Sequence, residues 1–292
     1  MTASKSENTE LFWGMRGAGF NFGIVASAKY KVYDLLNDGH TLVADMVFPY
    51  EKSPDIIKAL KQWEEDQDPE LAVATGAMWN PEVGGPAHMV SLLYHGDRAK
   101  GMGYAQHFLD LSPVVQNIYD SPWNEVHYKW AFGVDKMVGT YGGSKNAYSG
   151  HLKNFDLATF EWFFSELAKL WEEHPATRGT TMLVEDWPTK FMSGIPDDET
   201  AFPHRDVMCQ VLFVCVTEDP ALGDMLDQWG KRVRDRFQET NGFGEMRVYV
   251  SYGQGDEPQE ALYGARKLDR LRALKRQWDP QQFFSWNNPI KI

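Results

Sequence analysis

Three short stretches of this 292-residue chain carry side chains suited to acid–base chemistry. Glu185 and Asp186 are adjacent, so on a strand they point to opposite faces, and one of them can enter a pocket where burial raises its pKa. His204 and Arg205 follow a proline; an arginine beside a histidine can bind a carboxylate or polarise a carbonyl, and a structural salt bridge is an equal alternative. Tyr252 can donate a hydrogen bond or act as a general acid or base, and a buried tyrosine with a satisfied hydroxyl is the alternative.

Aromatic residues near these positions are candidates for the walls of a pocket. The chain has 11 Trp and 14% aromatic residues, a composition typical of proteins that bind flat small molecules. Tyr249 lies three residues before Tyr252, so on a strand the two would face opposite sides. The other candidates are Met78, Trp79, Trp187 and Trp286. For Met78, Trp79 and Trp286, a place in the core is the alternative.

The sequence contains no pattern typical of a metal site or of a strong nucleophile. Cys209 and Cys215 lie six residues apart in one predicted strand, on the same face but too far apart to bond to each other. We expect both to be small buried apolar residues. There is no zinc-type Cys/His spacing, no Ser/His/Asp order, no nucleophile elbow and no phosphate-binding P-loop. No metal is therefore expected, and the pocket favours reactions that need shape and modest polarisation.

Charge and hydropathy restrict the partners. The net charge of −12 and the pI of about 5.1 predict repulsion from phosphate backbones and anionic lipids, so neither nucleic acid nor a membrane surface is expected. No run reaches the roughly 18 apolar residues that a transmembrane helix needs. Residues 1–10 are polar and unlike a secretory signal, so the expected location is the cytosol.

Periodicity and turn residues predict an α+β fold, in which an antiparallel sheet has helices packed on one face and leaves the other face open to a ligand or partner. Residues 135–150 are rich in Gly and Ser and are predicted as a loop, long enough to be a lid or a linker. Strands are predicted at 24–33, 41–48, 71–79, 88–95, 180–186, 207–216 and 245–252. Helices are predicted at 54–65, 97–111, 122–130, 156–173, 219–240 and 259–278.

Four segments, in order and at fitting distances, resemble the berberine-bridge-enzyme-like family of FAD-linked oxidases. The first is the glycine-rich stretch Leu-Phe-Trp-Gly-Met-Arg-Gly-Ala-Gly-Phe-Asn-Phe-Gly-Ile-Val at 11–25, which must turn tightly and then enter a buried strand. The second is Glu-Asp-Trp-Pro-Thr-Lys at 185–190, and the third is Glu-Thr-Ala-Phe-Pro-His-Arg at 199–205. The fourth runs from Tyr249-Val-Ser-Tyr252 through the terminal helix to Trp-Asn at 286–287.

The resemblance implies a domain division and a role for one tyrosine. Residues 1–33 correspond to a remnant of the family's flavin domain, 34–258 to its substrate domain, and 259–292 to a helix and tail that return to the remnant. Tyr252 matches the family tyrosine that takes a proton from the substrate as hydride leaves for the flavin. The flavin itself is bound in the family mainly by an N-terminal half that has no counterpart here, so no cofactor is expected unless that half is supplied.

Two departures from the family pattern weaken the expectation of redox chemistry: Pro188-Thr189 replaces a Gly-Gly, and Ser251 replaces an Asn. We therefore expect a flavin-independent enzyme of secondary metabolism. It would be a cyclase or a Diels–Alder or hetero-Diels–Alder pericyclase acting on a reactive polyene or quinone-methide-like intermediate. Tyr252, Glu185 or Arg205 would hydrogen-bond the activating carbonyl.

Two alternative functions stay open. One is a fragment of an FAD-dependent oxidoreductase that needs its missing half, and the other is a non-catalytic protein that binds a small molecule. The expected partner in each case is a small hydrophobic natural product. A homo-oligomer formed through the exposed face of the former flavin domain is a further expectation, because the apolar strand at 24–33 would otherwise be uncovered.

Overall fold

The computed structural model describes residues 1–134, 136 and 144–292. Its centre is a seven-stranded sheet in which every pair of neighbouring strands is antiparallel. The strands are β1 His40–Pro49, β2 Leu71–Asn80, β3 Gly85–Tyr94, β4 Val115–Pro122, β5 Ser144–Leu152, β6 Thr181–Asp186 and β7 Cys209–Thr217. From one edge to the other their order is β4-β1-β3-β2-β6-β7-β5. The predicted antiparallel α+β fold is confirmed.

The helices of the described residues differ in length and in regularity. Asp97 and Asp156 cap two of them, because each carboxylate accepts a hydrogen bond from a backbone N–H of the first turn. The helices are α1 Thr9–Ala18, α2 Ser53–Lys61, α3 Arg98–Leu109, α4 Val126–Gly133, α5 Leu157–Glu173, α6 Lys190–Ser193, α7 Gly223–Glu239, α8 Gln259–Tyr263 and α9 Ala265–Trp278.

The two faces of the sheet bury different kinds of side chain. On one face, alternate apolar residues of the strands pack against α2, α3, α5 and α7 and form the main core, in which Trp171 and Phe163 are completely buried. Cys209 and Cys215 are part of this core, both with free thiols, as predicted. The opposite face, called here the polar face, carries a row of mostly polar residues that runs through all seven strands. The row is Asn117, Asp45, Ser91, Ala74, Glu185, Gln210 and His151.

A second apolar cluster joins the first residues of the chain to the last. Leu11 and Trp13 of α1 pack with Leu271 and Leu274 of α9, together with residues of the 248–250 segment. A buried lysine, Lys275, fastens this cluster because its ammonium group binds the carboxylate of Asp279 and two backbone carbonyls. The cluster lies beside the sheet and brings the C-terminal segments towards the polar face.

Residues 24–33 do not form the predicted strand. The segment carries no assigned secondary structure and pairs with none of the described strands; Ile24 and Val32 are each more than four-fifths exposed. Its alternating residues have strand propensity, but a strand forms only where a neighbouring strand offers hydrogen bonds, and the described chain offers none there. In the glycine-rich stretch before it, the predicted tight turn is present at Arg16 and Gly17, where the backbone leaves the helical conformation within α1, but no buried strand follows.

Other boundaries also differ from the prediction. Of the predicted loop at 135–150, residues 144–150 belong to strand β5, and 135 and 137–143 lie outside the described residues. Residues 245–252 form no strand, because Val248 and Val250 are buried in the second cluster and 250–252 close into a 3₁₀ turn. The predicted helix 259–278 is two helices, separated at Gly264, where φ is +73° and a side chain would meet Pro203. Strand β4 was not predicted.

Within the described part of the chain, no helix combines the length and the apolar character needed to cross a bilayer.

Candidate functional site

Glu185 lies in the middle of the polar face. In the register of the sheet it is directly opposite Ala74 of β2 on one side and Gln210 of β7 on the other. Its neighbour Asp186 points to the opposite face because successive residues of a strand alternate. The prediction that the two carboxylates point to opposite faces is therefore confirmed. Glu185 lies on the face that carries the cleft described below.

Tyr252 reaches Glu185 from the segment that follows α7. Val250–Tyr252 is a 3₁₀ turn, and the Tyr252 hydroxyl donates a hydrogen bond to the Glu185 carboxylate. The turn also brings Tyr249 to the same side, with the two rings 5.4 Å apart and nearly perpendicular. The prediction that Tyr249 faces away from Tyr252 is wrong, because it assumed a strand where the chain turns.

Gln210 is the second hydrogen-bond donor to Glu185. Its side-chain Nε2 donates to Oε2 of the carboxylate from the neighbouring strand. Glu185 is only 8% exposed, so this pair of donors replaces the water that the carboxylate loses. Tyr252, Glu185 and Gln210 thus form a continuous hydrogen-bonded group at the surface of the polar face.

Burial sets the electrostatics of this group. Loss of solvent raises the pKa of Glu185, and the hydrogen bonds from Gln210 and Tyr252 act in the opposite direction. Burial, followed by the charge of Glu185, raises the pKa of Tyr252 to about 12. At neutral pH the tyrosine therefore keeps its proton, and the carboxyl group is the one of the two that titrates at the lower pH.

Two histidines extend the group towards the C-terminal cluster. His151 lies directly opposite Gln210 in the register and has it as a hydrogen-bonding partner. The His204 ring is 4.9 Å from that of His151, and its Nε2 hydrogen-bonds to the carbonyl of Ala261. Burial lowers the pKa of His151 to about 3 and that of His204 to about 4, so both imidazoles are neutral.

A cleft of about 350 Å³ opens beside Gln210. Its walls are mainly aromatic and apolar, and no lysine, arginine or carboxylate of the described residues lines it. A neutral, flat ligand suits such a surface, because a charged one would be desolvated without a partner. The lining residues are His151, Trp187, Pro188, Thr189, Met192, Phe202, Val207, Met208, Cys209, Gln210 and Tyr249.

Two predicted site residues take no part in this arrangement. Asp186 is buried on the helix side of the sheet opposite Cys209, where burial raises its pKa to about 7. Arg205 is buried within the 200–205 segment, and its Nη2 donates to the hydroxyl of Thr200. None of the described contacts of Arg205 is with Glu185 or Tyr252, and its catalytic role stays a prediction.

The predicted wall residues divide in the same way. Trp187 lines the cleft, and the ring of His204 packs against the ring of His151. Met78 and Trp79 are absent from the lining of the cleft; Trp79 packs on the helix side against Trp171 and under the guanidinium of Arg178. Trp286 is 96% exposed, on the C-terminal tail. None of Met78, Trp79 and Trp286 therefore lines this cleft, and their assignment to a substrate pocket stays a prediction.

Gln210 and His151 were missed as site residues. The signal for Gln210 was present in the sequence, since it is a polar residue among the apolar residues of the strongest predicted strand. For His151 no such signal existed, because the residues around it were predicted as a loop. Both positions become visible only when the register of β5, β6 and β7 places them in one row with Glu185.

The glycine-rich stretch offers no cradle for the pyrophosphate of a dinucleotide. Gly17 has a φ of +145°, and a side chain there would collide with the backbone of Ala201 and Phe202. The carbonyls of Trp13 and Arg16 accept hydrogen bonds from those same two residues. The glycine thus permits close packing of two segments of the chain, which is a different use from holding a phosphate. Among the residues that the structure describes there is also no group of three or more metal-ligating side chains.

Comparison with known proteins places the chain in a wider context. The family profile described as "Berberine and berberine like" matches residues 248–291. The chain is 33% identical over 293 residues to the FAD-linked oxidoreductase tazG of Aspergillus terreus, covering 99% of the chain and 60% of that protein. It is 34% identical over 291 residues to the FAD-linked oxidoreductase srdI of Neurospora crassa, covering 99% and 57%. The chain thus spans about three-fifths of the length of these curated relatives.

Solved structures show the same fold. Physcomitrella patens BBE-like 1 superimposes with a TM-score of 0.81 at 18% identity, covering 100% of the chain and 63% of that protein. Berberine bridge enzyme from Eschscholzia californica gives a TM-score of 0.74 at 14% identity, covering 96% and 61%. At these identities the comparison shows the fold alone.

Proposed function

Since this chain belongs to the berberine-bridge-enzyme-like family of FAD-linked oxidases, we propose that it provides the substrate-binding and proton-transfer part of an oxidoreductase acting on a small aromatic alcohol. The observation that carries the proposal is the hydrogen bond between Tyr252 and Glu185 beside an aromatic cleft. The curated relatives are named FAD-linked oxidoreductases, which supports redox chemistry, and the chain's own residues support the proton half of it.

The Tyr252–Glu185 pair is suited to removing a proton from a substrate hydroxyl. The substrate O–H donates to the Tyr252 oxygen, and the Tyr252 proton passes to the Glu185 carboxylate, so the substrate becomes an alkoxide and Glu185 becomes neutral. Because the pKa of Tyr252 is raised to about 12, the tyrosine acts as a relay and Glu185 holds the proton. Gln210 stabilises the carboxylate before the transfer and keeps it in place.

FAD, when bound, supplies an acceptor for the hydride that an alkoxide releases. Gly17 of the glycine-rich stretch packs against residues 201 and 202 and is not free to cradle a phosphate, so we derive no step through the cofactor. The described residues bind and orient the substrate, exclude water from Glu185 and move the proton.

The lining of the cleft supports a neutral aromatic substrate. Trp187, Phe202 and Tyr249 offer flat surfaces, and Met192 and Met208 offer polarisable thioethers that adapt to irregular shapes. Polar groups at the cleft, such as the hydroxyls of Tyr249 and Thr189, can hydrogen-bond to oxygen substituents without adding charge. Hydroxylated aromatic natural products combine these properties, so we place the protein in secondary metabolism.

A flavin-independent cyclase is the second candidate. The observation that favours it is that the acid–base pair and the cleft are both formed by residues of this chain. In this version Tyr252, held by Glu185, donates a hydrogen bond to a substrate carbonyl and lowers the barrier to a cyclisation or a Diels–Alder-type cycloaddition of a polyene or quinone-methide-like intermediate. The aromatic walls fix the approach of the two reacting ends.

The experiment that separates these functions uses the purified chain with and without added FAD. Its absorbance between about 300 and 550 nm is recorded, and it is then incubated with a panel of neutral benzylic alcohols and, separately, with a conjugated diene–dienophile substrate. Alcohol oxidation only in the presence of flavin supports the oxidoreductase, and cyclised product without flavin supports the cyclase. Ligand binding with no product in either reaction, and equal behaviour of Glu185→Gln, would contradict both and favour a carrier.

The remaining expectations stay predictions. They are the cytosolic location, the absence of nucleic-acid and membrane partners, and a homo-oligomer formed through the exposed segment at 24–33. The division into residues 1–33, 34–258 and 259–292 also stays a prediction.

A further inference from the structure

His151, Gln210 and Glu185 occupy one row of the polar face on three adjacent strands. Each faces the next directly across the sheet, His151 opposite Gln210 and Gln210 opposite Glu185. All three are shielded from solvent to a large extent, and His151 is 3% exposed. Side chains so placed on antiparallel strands are close enough to interact throughout their length.

The chemistry of the three groups allows one direction of hydrogen bonding. An ionised carboxylate only accepts, so the side-chain amide of Gln210 must turn its Nε2 towards Glu185, as observed. The amide oxygen of Gln210 then faces the other strand, where His151 is its hydrogen-bonding partner. An amide oxygen only accepts, so His151 must be the donor.

The protonation of the His151 ring agrees with this direction. Burial lowers the pKa of His151 to about 3, and the neighbouring His204 and Arg247 act in the same sense, so the ring is neutral and carries one proton. Its Nδ1 is buried and has no hydrogen-bond partner among the described residues. The proton therefore belongs on Nε2, and the ring has a single donor, which serves Gln210.

We infer that His151 is a positioning residue: its Nε2–H holds the side-chain amide of Gln210 in the one orientation that donates to Glu185. Its importance for catalysis rests on the proposed function of Glu185, whereas the orientation of the amide stands on the geometry alone. If the His151 donor is removed, the Gln210 amide can flip by 180° and present its oxygen to the carboxylate. Glu185 then loses a donor and faces a repulsive dipole, so the carboxylate becomes less favourable.

The test compares two substitutions of nearly equal size in the full chain. His151→Met removes the donor, and His151→Gln, of the same length, carries a side-chain N–H at the position of the histidine Nε2 and so keeps a donor to the Gln210 oxygen. The titration of Glu185 is followed by ¹³C NMR of chains labelled at glutamate, with Glu185→Gln to assign the signal. The other groups that face the site are Tyr252, Tyr249, His204 and Arg247, and they are left unchanged.

We expect His151→Met to move the Glu185 midpoint upwards by about 0.7 unit, the equivalent of one ordinary hydrogen bond, while His151→Gln leaves it within about 0.2 unit of the wild type. Equal midpoints in all three proteins would overturn the inference. So would equal shifts in both variants, because a merely structural effect of losing the imidazole does not distinguish Met from Gln.

A second measurement needs no variant that could misfold. Long-range ¹H–¹⁵N correlation spectra of the wild-type chain report the tautomer of each histidine, and His151 should show a protonated Nε2 and a bare Nδ1. A protonated Nδ1, or a doubly protonated ring at neutral pH, would overturn the inference. Neither measurement uses a substrate or a flavin, so either result is independent of whether the proposed oxidation or cyclisation is observed.

Discussion

Two buried carboxylates lie in the same row of the polar face, one with a structural role and the other with a proposed role in proton transfer. Asp45 and Glu185 are separated in that row by Ser91 and Ala74 alone. Burial raises the pKa of each. Asp45 is completely buried and accepts four hydrogen bonds, from Ser91, from Tyr119 and from the backbone N–H groups of residues 131 and 132.

Glu185 has two donors, Gln210 and Tyr252, and a cleft beside it. The number of hydrogen-bond donors distinguishes the carboxylate with a structural role from the one that is available for proton transfer. Asp45 fastens α4 to the sheet at a place where three successive residues, 131–133, have positive φ. Glu185 has fewer donors and lies opposite Gln210, which lines the cleft, so it keeps acceptor capacity for a proton.

The largest expected effect is on stability, at Asp45. Asp45→Asn replaces one acceptor oxygen by a donor that opposes the backbone N–H groups of residues 131 and 132, so we expect a loss of about 3 kcal/mol in the free energy of unfolding. Urea unfolding followed by tryptophan fluorescence measures it. The matched control is Asp120→Asn, at an exposed ion pair with Arg98, which should cost less than about 0.5 kcal/mol. Equal losses in the two variants would remove the structural role of Asp45.

The next effect is on turnover, at the two tyrosines. Tyr252→Phe should reduce kcat by about 100-fold, because the relay to Glu185 loses its hydroxyl. Tyr249→Phe keeps the ring that lines the cleft and should change kcat by less than about 3-fold. The kcat of both variants is measured by steady-state kinetics with a substrate of the panel that the wild type turns over. A larger loss for Tyr249→Phe than for Tyr252→Phe would reverse the assignment.

Stability should also depend on pH through the buried histidines. The pKa values of His88 and His151 are lowered to about 3 and that of His204 to about 4, so these rings take up protons more readily in the unfolded chain. Their contribution is complete above the unfolded pKa of about 6.5 and is lost as the pH falls towards the folded values. Asp45 and Glu185, with raised pKa values, act in the opposite direction over the same range.

We expect the three histidines together to outweigh the carboxylates, among which Asp186 has a comparably large shift, to a pKa of about 7. The urea midpoint should therefore be lower at pH 5 than at pH 7 by an amount equivalent to about 2 kcal/mol. Replacing His88 by Gln should reduce this difference if the variant folds. A midpoint that rises between pH 7 and pH 5 would mean that the carboxylates outweigh the histidines.

The smallest expected effect concerns the wall of the cleft. Trp187→Leu removes a flat, partly exposed surface and should weaken the binding of a neutral aromatic alcohol by about 5-fold, with little change in stability. Trp286→Leu, on the exposed tail outside the cleft, is the matched control and should leave affinity unchanged. Isothermal titration with one neutral ligand and its carboxylate analogue also tests the lack of cations in the lining. Tighter binding of the carboxylate would contradict the proposed substrate class.

Much of the fold could be predicted from the sequence, because many of its elements are specified by residues within the element itself. The hairpin of β2 and β3, the apolar strand β7 and the capped helix α5 each carry their own periodicity and turn signals. Residues 24–33 have the same strand signals, yet they pair with no described strand, because pairing depends on a neighbour that the local pattern does not specify.

The site residues show the same difference between local sequence signals and contacts that depend on distant segments. The alternation of Glu185 and Asp186 is a local property and was predicted, whereas the joint position of Tyr249 and Tyr252 depends on a turn that their spacing alone did not reveal. Arg205 carries a side chain suited to catalysis, but its segment packs against α1. The link from His151 through Gln210 to Glu185 exists only in the register of three strands, two of which are far apart in sequence.

Glu185, rather than the adjacent Asp186, should act as the proton acceptor beside the cleft. The most direct test measures the pH dependence of turnover for the wild type, Glu185→Gln and Asp186→Asn. We expect wild-type activity to rise with pH through the raised pKa of Glu185. Asp186→Asn should keep this profile. Glu185→Gln should lose at least about 100-fold in kcat while remaining folded. A folded Glu185→Gln variant with the wild-type rate and profile would contradict it.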